Sequence, residues 1–208
     1  YFDDLASIYR AEIAALSDAG CTYLQLDETA LPCNCDQRFR ADVLNRGEDP
    51  DYLTQRYSEL INTAVKDRPA NMKVAVHMCR GNLKGTWMAE GSYDPIAEFL
   101  FANTEVDAWF MEYDTDRAGD FSPLRFMPKN RIVVLGLIST KTSELESKES
   151  LKRRIDEATA YISLDRLCLS PQCGFSSAPG GGQVITEDDQ KRKLELVAET
   201  AIEIWGTT

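Results

Sequence analysis

Residues 73–112 read KVAVHMCRGNLKGTWMAEGSYDPIAEFLFANTEVDAWFME, and the order of the elements predicted here indicates the type of fold. The run over 73–76, which is apolar after Lys73, is typical of a buried strand, and the stretch 106–111 also has the pattern of a strand. Between them the sequence predicts a helix that closes near residue 103, with Asp94 as its N-cap and a proline in its first turn. Strand, helix and strand in this order predict two parallel strands joined by a helical crossover.

The same alternation continues on both sides of this unit. Further helices are predicted at about 2–19, 50–65, 148–162 and 186–205, and further strands at 22–26, 131–138 and 166–169. Helices therefore alternate with five strands, which indicates an α/β protein with a parallel sheet. An eight-stranded βα barrel takes about 250 residues, so the pattern alone leaves a small open sheet and part of a barrel as alternatives. Gly180–Gly182 is interpreted as a loop, because no Lys-Ser/Thr follows it as in a phosphate-binding loop.

Length and composition limit the function. The chain has 208 residues, 43% of them hydrophobic, and a net charge of −11. This predicts one domain over 1–208 with a sizeable core, and excludes an intrinsically disordered chain. The acidic balance argues against nucleic acid or an anionic membrane as partner, and no apolar run approaches the roughly 20 residues of a membrane helix. We therefore expect small-molecule partners, and association with further copies of the chain stays open.

Six cysteines occur without a visible secretory signal, which predicts free thiols and a cytoplasmic protein. Cys21 and Cys168 fall in apolar segments and are predicted to be buried core thiols. Cys33 and Cys35 lie together in a predicted loop. Their C-x-C spacing differs from the C-x-x-C of thiol-redox proteins, so a redox module is the weaker interpretation.

Chemically active side chains stand where the predicted strands end. They are Asp27, His77 with Cys79, Glu112, Ser139 and Cys173. Because the carboxyl ends of parallel strands meet at one edge of the sheet, this is the edge where sites are built in parallel α/β folds.

The segment His77-x-Cys79 is the most informative of these. Residues i and i+2 of a strand point to the same side, so an imidazole and a thiolate can face one ion. Cys173 and Glu112 can supply two further ligands, and two thiolates, an imidazole and a carboxylate suit zinc better than magnesium or calcium. Taken singly, these residues also fit a hydrogen-bonded histidine, small buried cysteines and a solvated charge.

Five stretches together resemble a known family. They are LQLDETAL (24–31), AVHMCRGN (75–82), DAWFMEYD (107–114), LCLSPQCGFSS (167–177) and KLELVAETAIEIWG (193–206). In content and order they resemble the C-terminal catalytic barrel of cobalamin-independent methionine synthases, and the shorter single-barrel relatives most of all. The resemblance implies a TIM-type (βα)8 barrel, of which this chain carries the C-terminal five or so βα units. The segments that complete such a barrel precede Tyr1, so strand edges are expected to be exposed.

The resemblance also implies site residues and a reaction. In the family the barrel zinc is bound by the residues that correspond here to His77, Cys79, Glu112 and Cys173. The aspartate that corresponds to Asp27 holds the amino group of homocysteine. The implied reaction is zinc-dependent transfer of a methyl group, from a methylated folate in the family, to a small thiol, most simply homocysteine to give methionine. We expect Glu112 to be the ligand that loosens when the thiol arrives.

One departure from the family leaves the donor open. Where the family has a histidine that protonates the departing folate nitrogen, this chain has Ser139, with Lys141 close by. A serine does not protonate an amine in that way. The alternatives are therefore an alkyltransferase of the same fold with a different thiol or methyl donor, and a non-catalytic zinc-binding domain. Arg80, Asn82 and Ser176 adjoin the candidate ligands and are weaker candidates for orienting substrate.

Overall fold

Five parallel strands form one sheet in the computed structural model, which describes residues 1–176 and 184–207. The strands are β1 (Tyr23–Glu28), β2 (Lys73–Met78), β3 (Ala108–Glu112), β4 (Ile132–Ile138) and β5 (Leu167–Pro171). Each strand pairs with its neighbours in the sequence, in the order β1-β2-β3-β4-β5. A doubly wound open sheet reverses its strand order at a switch point, so this sequential order favours the wall of a barrel.

Helices connect the strands and cover the sheet. They are α1 (Phe2–Asp18), α2 (Ala30–Cys33), α3 (Gln37–Asn45), α4 (Pro50–Val65), α5 (Asp94–Asn103), α6 (Lys148–Thr159) and α7 (Glu187–Trp205). The core lies between this layer and the sheet. The fully buried Trp109 of β3 meets Phe101 of α5 edge to face, with ring centroids 5.3 Å apart. Such aromatic contacts and the apolar face of each helix fix the crossovers against the sheet.

The segment after β1 differs from the predicted loop. It forms the short helix α2 and then α3, whose N-cap Asp36 accepts a hydrogen bond from the backbone of Arg38 at 2.9 Å. The N-cap predicted for α5 is also wrong by one position, since Tyr93 is the cap and Asp94 is the first helical residue. A carboxylate is favourable there too, because it faces the positive end of the helix dipole.

Two predicted core thiols are not buried. Cys168 is exposed and Cys21 is half-buried. In the part of the chain that the structure describes, β5 pairs with β4 alone and is an edge strand, and Cys168 occupies an exposed position on it. Cys21 lies in the turn before β1, where its thiol contacts the carbonyl of Tyr23.

The outer edge of β1 is open, in agreement with the expected exposure of strand edges. The side chain positions of β1 alternate between exposed and half-buried, and Tyr23 is 51% exposed. A groove of about 610 Å³ runs along this edge between α1 and α4, with Asp27 and Glu28 among its lining residues. Gly180–Gly182, predicted as a loop, lies outside the described residues.

Candidate metal centre

His77 lies near the carboxyl end of β2 and is oriented by a neighbouring strand. The register pairs Asp27 of β1 with His77, and the Nδ1 atom of His77 lies 2.8 Å from an oxygen of Asp27. The other ring nitrogen, Nε2, is buried and has no hydrogen-bond partner among the described residues. A histidine held at one nitrogen by a carboxylate, with the other nitrogen free, is the arrangement of a histidine metal ligand.

Two cysteines reach the same place from different strands. Cys79 follows β2 directly and continues its pairing with β1, since its backbone N–H donates to the carbonyl of Glu28 at 2.8 Å. Cys173 follows the end of β5, and the two Sγ atoms are 3.5 Å apart. Gly136 of β4 allows this approach, because a Cβ atom there would lie 3.1 Å from Cα of Gln172 and 3.0 Å from the carbonyl oxygen of Met111.

Glu112, the last residue of β3, completes the cluster. Its side chain is fully buried, with Oε1 at 2.7 Å from the Sγ atom of Cys173 and 3.4 Å from Nε2 of His77. One ligand atom from each of His77, Cys79, Glu112 and Cys173 lies within 4.8 Å of all the others. Two of these residues lie on the strands β2 and β3, and the two cysteines lie just after β2 and β5, so all four converge at the carboxyl edge of the sheet.

These residues fit a zinc ion. Two sulfurs bound to tetrahedral zinc at about 2.3 Å lie about 3.8 Å apart, close to the separation of the two cysteines here. A buried imidazole nitrogen without a partner and a buried carboxylate supply the remaining donors. The donor set of two sulfurs, one nitrogen and one oxygen suits zinc, because thiolates are soft ligands.

Without a metal, the cluster carries protons that a metal would displace. Burial opposes the charged form of His77, but the hydrogen bond with Asp27 and the contact with Glu112 outweigh it and raise the pKa of His77 to about 10. Burial also opposes the charge of Glu112, but His77 and Lys141 hold its pKa at about 2. The imidazole is therefore protonated beside an ionised carboxylate at neutral pH.

The contact between the two thiols shifts their pKa values in opposite directions. The hydrogen bond with Cys173 lowers the pKa of Cys79 to about 7, against the effect of burial. The same pairing with Cys79, together with burial and the nearby charge of Glu112, raises the pKa of Cys173. At neutral pH the metal-free cluster accordingly holds Cys173 as a thiol.

On the side away from the candidate ligands, Glu112 contacts further residues that were not predicted as site residues. The Tyr93 hydroxyl donates to the carbonyl of Glu112 at 3.3 Å and accepts from its backbone N–H at 3.1 Å. The second carboxylate oxygen, Oε2, accepts from Arg117 and from Gln172, both at 3.3 Å. Lys141 lies 3.9 Å from the same oxygen. In the sequence, Lys141 was noted only as a neighbour of Ser139, and the position of Gln172 between the end of β5 and Cys173 was a signal that could have indicated Gln172.

The weaker candidates lie around the cluster. Arg80 is buried, with its guanidinium carbon 4.2 Å from the ring centroid of Tyr93. Asn82 donates to Thr140 and to the carbonyl of Gly174, and thereby joins the loops after β2, β4 and β5. The hydroxyl of Ser139 donates to the side chain of Gln172 at 3.2 Å.

The geometry defines a class of protein: a parallel α/β domain with a nitrogen, sulfur and oxygen cluster of metal-binding type at the carboxyl edge of its sheet. The catalytic-domain family of the cobalamin-independent synthases matches residues 2–187, and the chain belongs to this family. The family assignment predicted from sequence is confirmed.

Individual relatives agree with the family. The uncharacterized protein YxjH of Bacillus subtilis (strain 168) is 46% identical over 206 residues, which are 99% of this chain and 54% of that protein. The methionine synthase of Pyrococcus abyssi is 26% identical over 172 residues, 83% of this chain and 42% of that one. The chain therefore spans about half the length of the relatives it matches.

Solved structures confirm the predicted α/β fold with its barrel-type order of strands. The crystal structure from Listeria monocytogenes assigned as a vitamin-B12-independent methionine synthase has a TM-score of 0.75 and 37% identity, over 99% of this chain and 55% of that one. The structure of a B12-independent methionine synthase from Shewanella sp. W3-18-1 in complex with selenomethionine has a TM-score of 0.71 and 20% identity, over 97% of this chain and 53% of that one. The second likeness concerns the fold alone. Within the described residues, no helix is long and apolar enough to cross a membrane.

Proposed function

We propose that the protein is a zinc-dependent methyltransferase that moves a methyl group from a donor to a small thiol, with homocysteine as acceptor and methionine as product. The observation that carries the proposal is the convergence of His77, Cys79, Glu112 and Cys173 within 4.8 Å in a chain of this family. A zinc ion held there supplies one thing: it lowers the pKa of a bound substrate thiol, so that the thiolate exists at neutral pH.

The chain's own residues have separate tasks in this proposal. Asp27 fixes the ring of His77 through Nδ1, and its side chain is 66% exposed at the mouth of the site. That exposure leaves carboxylate surface for the amino group of an amino-acid thiol. Cys79 and Cys173 would hold the zinc ion throughout, and Glu112 would be the ligand that gives way to the substrate thiol. Retention of an oxygen ligand after thiol binding, measured by X-ray absorption spectroscopy, would count against this role of Glu112.

The residues of the site constrain the identity of the methyl donor less than that of the thiol acceptor. A methylated folate is the donor that the family implies, but Ser139 is buried and bonded to Gln172, so it does not provide the missing proton donor. This observation favours the alternative of an alkyltransferase with a different donor or thiol. The free state of all six cysteines supports a reducing compartment, and we propose the cytoplasm.

The test is a transfer assay with zinc-loaded protein. L-Homocysteine is incubated with 5-methyltetrahydrofolate or its triglutamate, and methionine is measured by mass spectrometry, with Cys173→Ser as the inactive control. Methionine formed only by the native chain supports the proposal. Product from another thiol or another methyl donor supports the alternative alkyltransferase. A cobalt-substituted protein whose absorption spectrum does not respond to any thiol indicates a closed, non-catalytic site and overturns the proposal.

A further inference from the structure

The two carboxylate oxygens of Glu112 face opposite surroundings. Oε1 faces the candidate ligands, at 2.7 Å from the sulfur of Cys173 and 3.4 Å from Nε2 of His77. Oε2 faces hydrogen-bond donors, with Arg117 and Gln172 both at 3.3 Å. Glu112 therefore offers one oxygen to a metal while the other is held by the protein.

Lys141 adds a buried charge behind this outer oxygen. Its side chain is 4% exposed, and its ammonium donates to the side-chain amide oxygen Oε1 of Gln172 at 2.8 Å. The amide of Gln172 in turn donates to Oε2 of Glu112, so Gln172 links the ammonium to the carboxylate. Among the described ion pairs, the one carboxylate within 4.0 Å of Lys141 is Glu112, at 3.9 Å.

Arg117 differs from Lys141 because it has a second carboxylate partner. Arg117 also pairs with Asp114 at 2.8 Å, and both side chains are nearly fully buried. The charge of Arg117 is thus largely compensated by Asp114. The ammonium of Lys141 has no such second carboxylate among the described residues, so its field acts on Glu112 and on any cation that Glu112 binds.

We propose that Lys141 is a positioning residue that holds Glu112 by its outer oxygen and weakens it as a metal ligand, so that a substrate thiol can replace it. The replacement step rests on the proposed function. The weakening does not, because it follows from placing a positive charge on the far side of a carboxylate that binds a divalent cation. Removing the positive charge of Lys141 is therefore expected to increase the affinity of the site for a metal ion.

The test compares zinc affinity in Lys141→Met and Lys141→Gln with that of the native chain, by competition with a chromophoric chelator. Both variants remove the charge, and glutamine keeps a donor for Gln172. We expect zinc to bind at least about tenfold more tightly in both, since a buried unit positive charge several ångströms from a divalent cation repels it. The conservative Lys141→Arg restores the native affinity. Lys191→Met, on the exposed face of α7, removes the same net charge and leaves the affinity unchanged.

A purely structural role for Lys141 gives the opposite result. Equal or weaker zinc binding in both folded variants overturns the proposal, and so does failure of both to fold, as measured by circular dichroism. A second measurement titrates L-homocysteine into the cobalt-substituted proteins. There the charge-free variants should need about tenfold more thiol for the same spectral change, because Glu112 is released less readily. If the native protein does not respond to homocysteine, the proposed function fails, while the affinity comparison still decides the role of Lys141.

Discussion

Two pairs of cysteines in this chain differ in how their members are brought together. Cys33 and Cys35 are two residues apart, whereas Cys79 and Cys173 are separated by 94 positions and meet with their sulfurs 3.5 Å apart. Cys33 ends α2, and Cys35 is buried in the turn that follows, where burial raises the pKa of its thiol to about 12. Cys79 and Cys173 follow the carboxyl ends of two strands.

The comparison shows what brings reactive groups together in this fold. Cys35 is close to Cys33 along the chain, but it lies in a buried turn, where burial raises the pKa of its thiol and disfavours the thiolate. Position at the end of a strand places Cys79 beside His77, Glu112 and a cysteine from a distant loop. In a parallel sheet, every strand delivers its last side chains to the same edge, so the topology assembles a site that local spacing does not reveal.

The largest effect is expected from removing one sulfur of the distant pair. Cys173→Ser replaces a thiolate with a hydroxyl that binds zinc weakly at neutral pH, so we expect about one zinc per native chain and none in the variant. Elemental analysis after dialysis measures this. Cys168→Ser is the matched control, since Cys168 lies on β5 but is exposed, and it should retain the metal. A variant at position 173 that keeps its zinc would contradict the assignment of the site.

Zinc binding is also expected to release protons from the distant pair and its neighbours. His77, with its pKa raised to about 10, and Cys173, with its raised pKa, both carry protons at pH 7 in the metal-free protein, and both must lose them to bind zinc. We expect about two to three protons to be released, so that the apparent affinity rises about 100-fold or more per pH unit between pH 6 and 7. Calorimetry in buffers of different ionisation enthalpy gives the number. Release of no protons would mean that His77 and Cys173 are not the ligands.

A smaller effect is expected at Asp27, which orients His77. Asp27→Ala leaves Nδ1 without its partner at 2.8 Å, and loss of such a support typically costs about 10–100-fold in metal affinity. Glu28→Gln is the matched control, because Glu28 is the adjacent acid but accepts hydrogen bonds from the backbone of Ala30 and Leu31. If Asp27 contacts only the substrate, zinc affinity will be unchanged and only the KM for the thiol will rise.

Much of the fold follows from hydrophobic pattern. After Lys73 and Arg131, residues 74–76 and 132–138 form continuous uncharged runs because both faces of β2 and β4 are covered, and such strands are recognisable in sequence. The segment after β1 was not recognisable as helix. Its proline and closely spaced cysteines suggested a loop, while Asp36 in fact caps α3. Local turn signals and short helices use the same residue types, so only tertiary contacts decide between them.

The candidate ligands were predictable because each is a chemically distinctive residue at the end of a strand. The residues behind them were not. Tyr93 reaches the backbone of Glu112 from the residue that caps α5, and Arg117 comes from a short 3-10 helix. Their positions depend on how loops pack over the edge of the sheet, which no periodicity encodes. Lys141 was noted only as a neighbour of Ser139, and its distance to Glu112 comes from the structure.

The smallest effect on the metal site is expected at the sequence-adjacent pair. Replacing Cys33 and Cys35 together by serine should leave zinc affinity within about twofold of the native value, because neither residue belongs to the four-donor cluster. The free energy of unfolding should nevertheless fall by about 1–2 kcal/mol, since the hydroxyl at position 35 is placed in a site where the native side chain is 3% exposed. Chelator competition and urea unfolding measure the two quantities separately. Loss of zinc in this variant without loss of folding would show that the pair contributes to the site, and the contrast between local spacing and strand-end position would no longer hold.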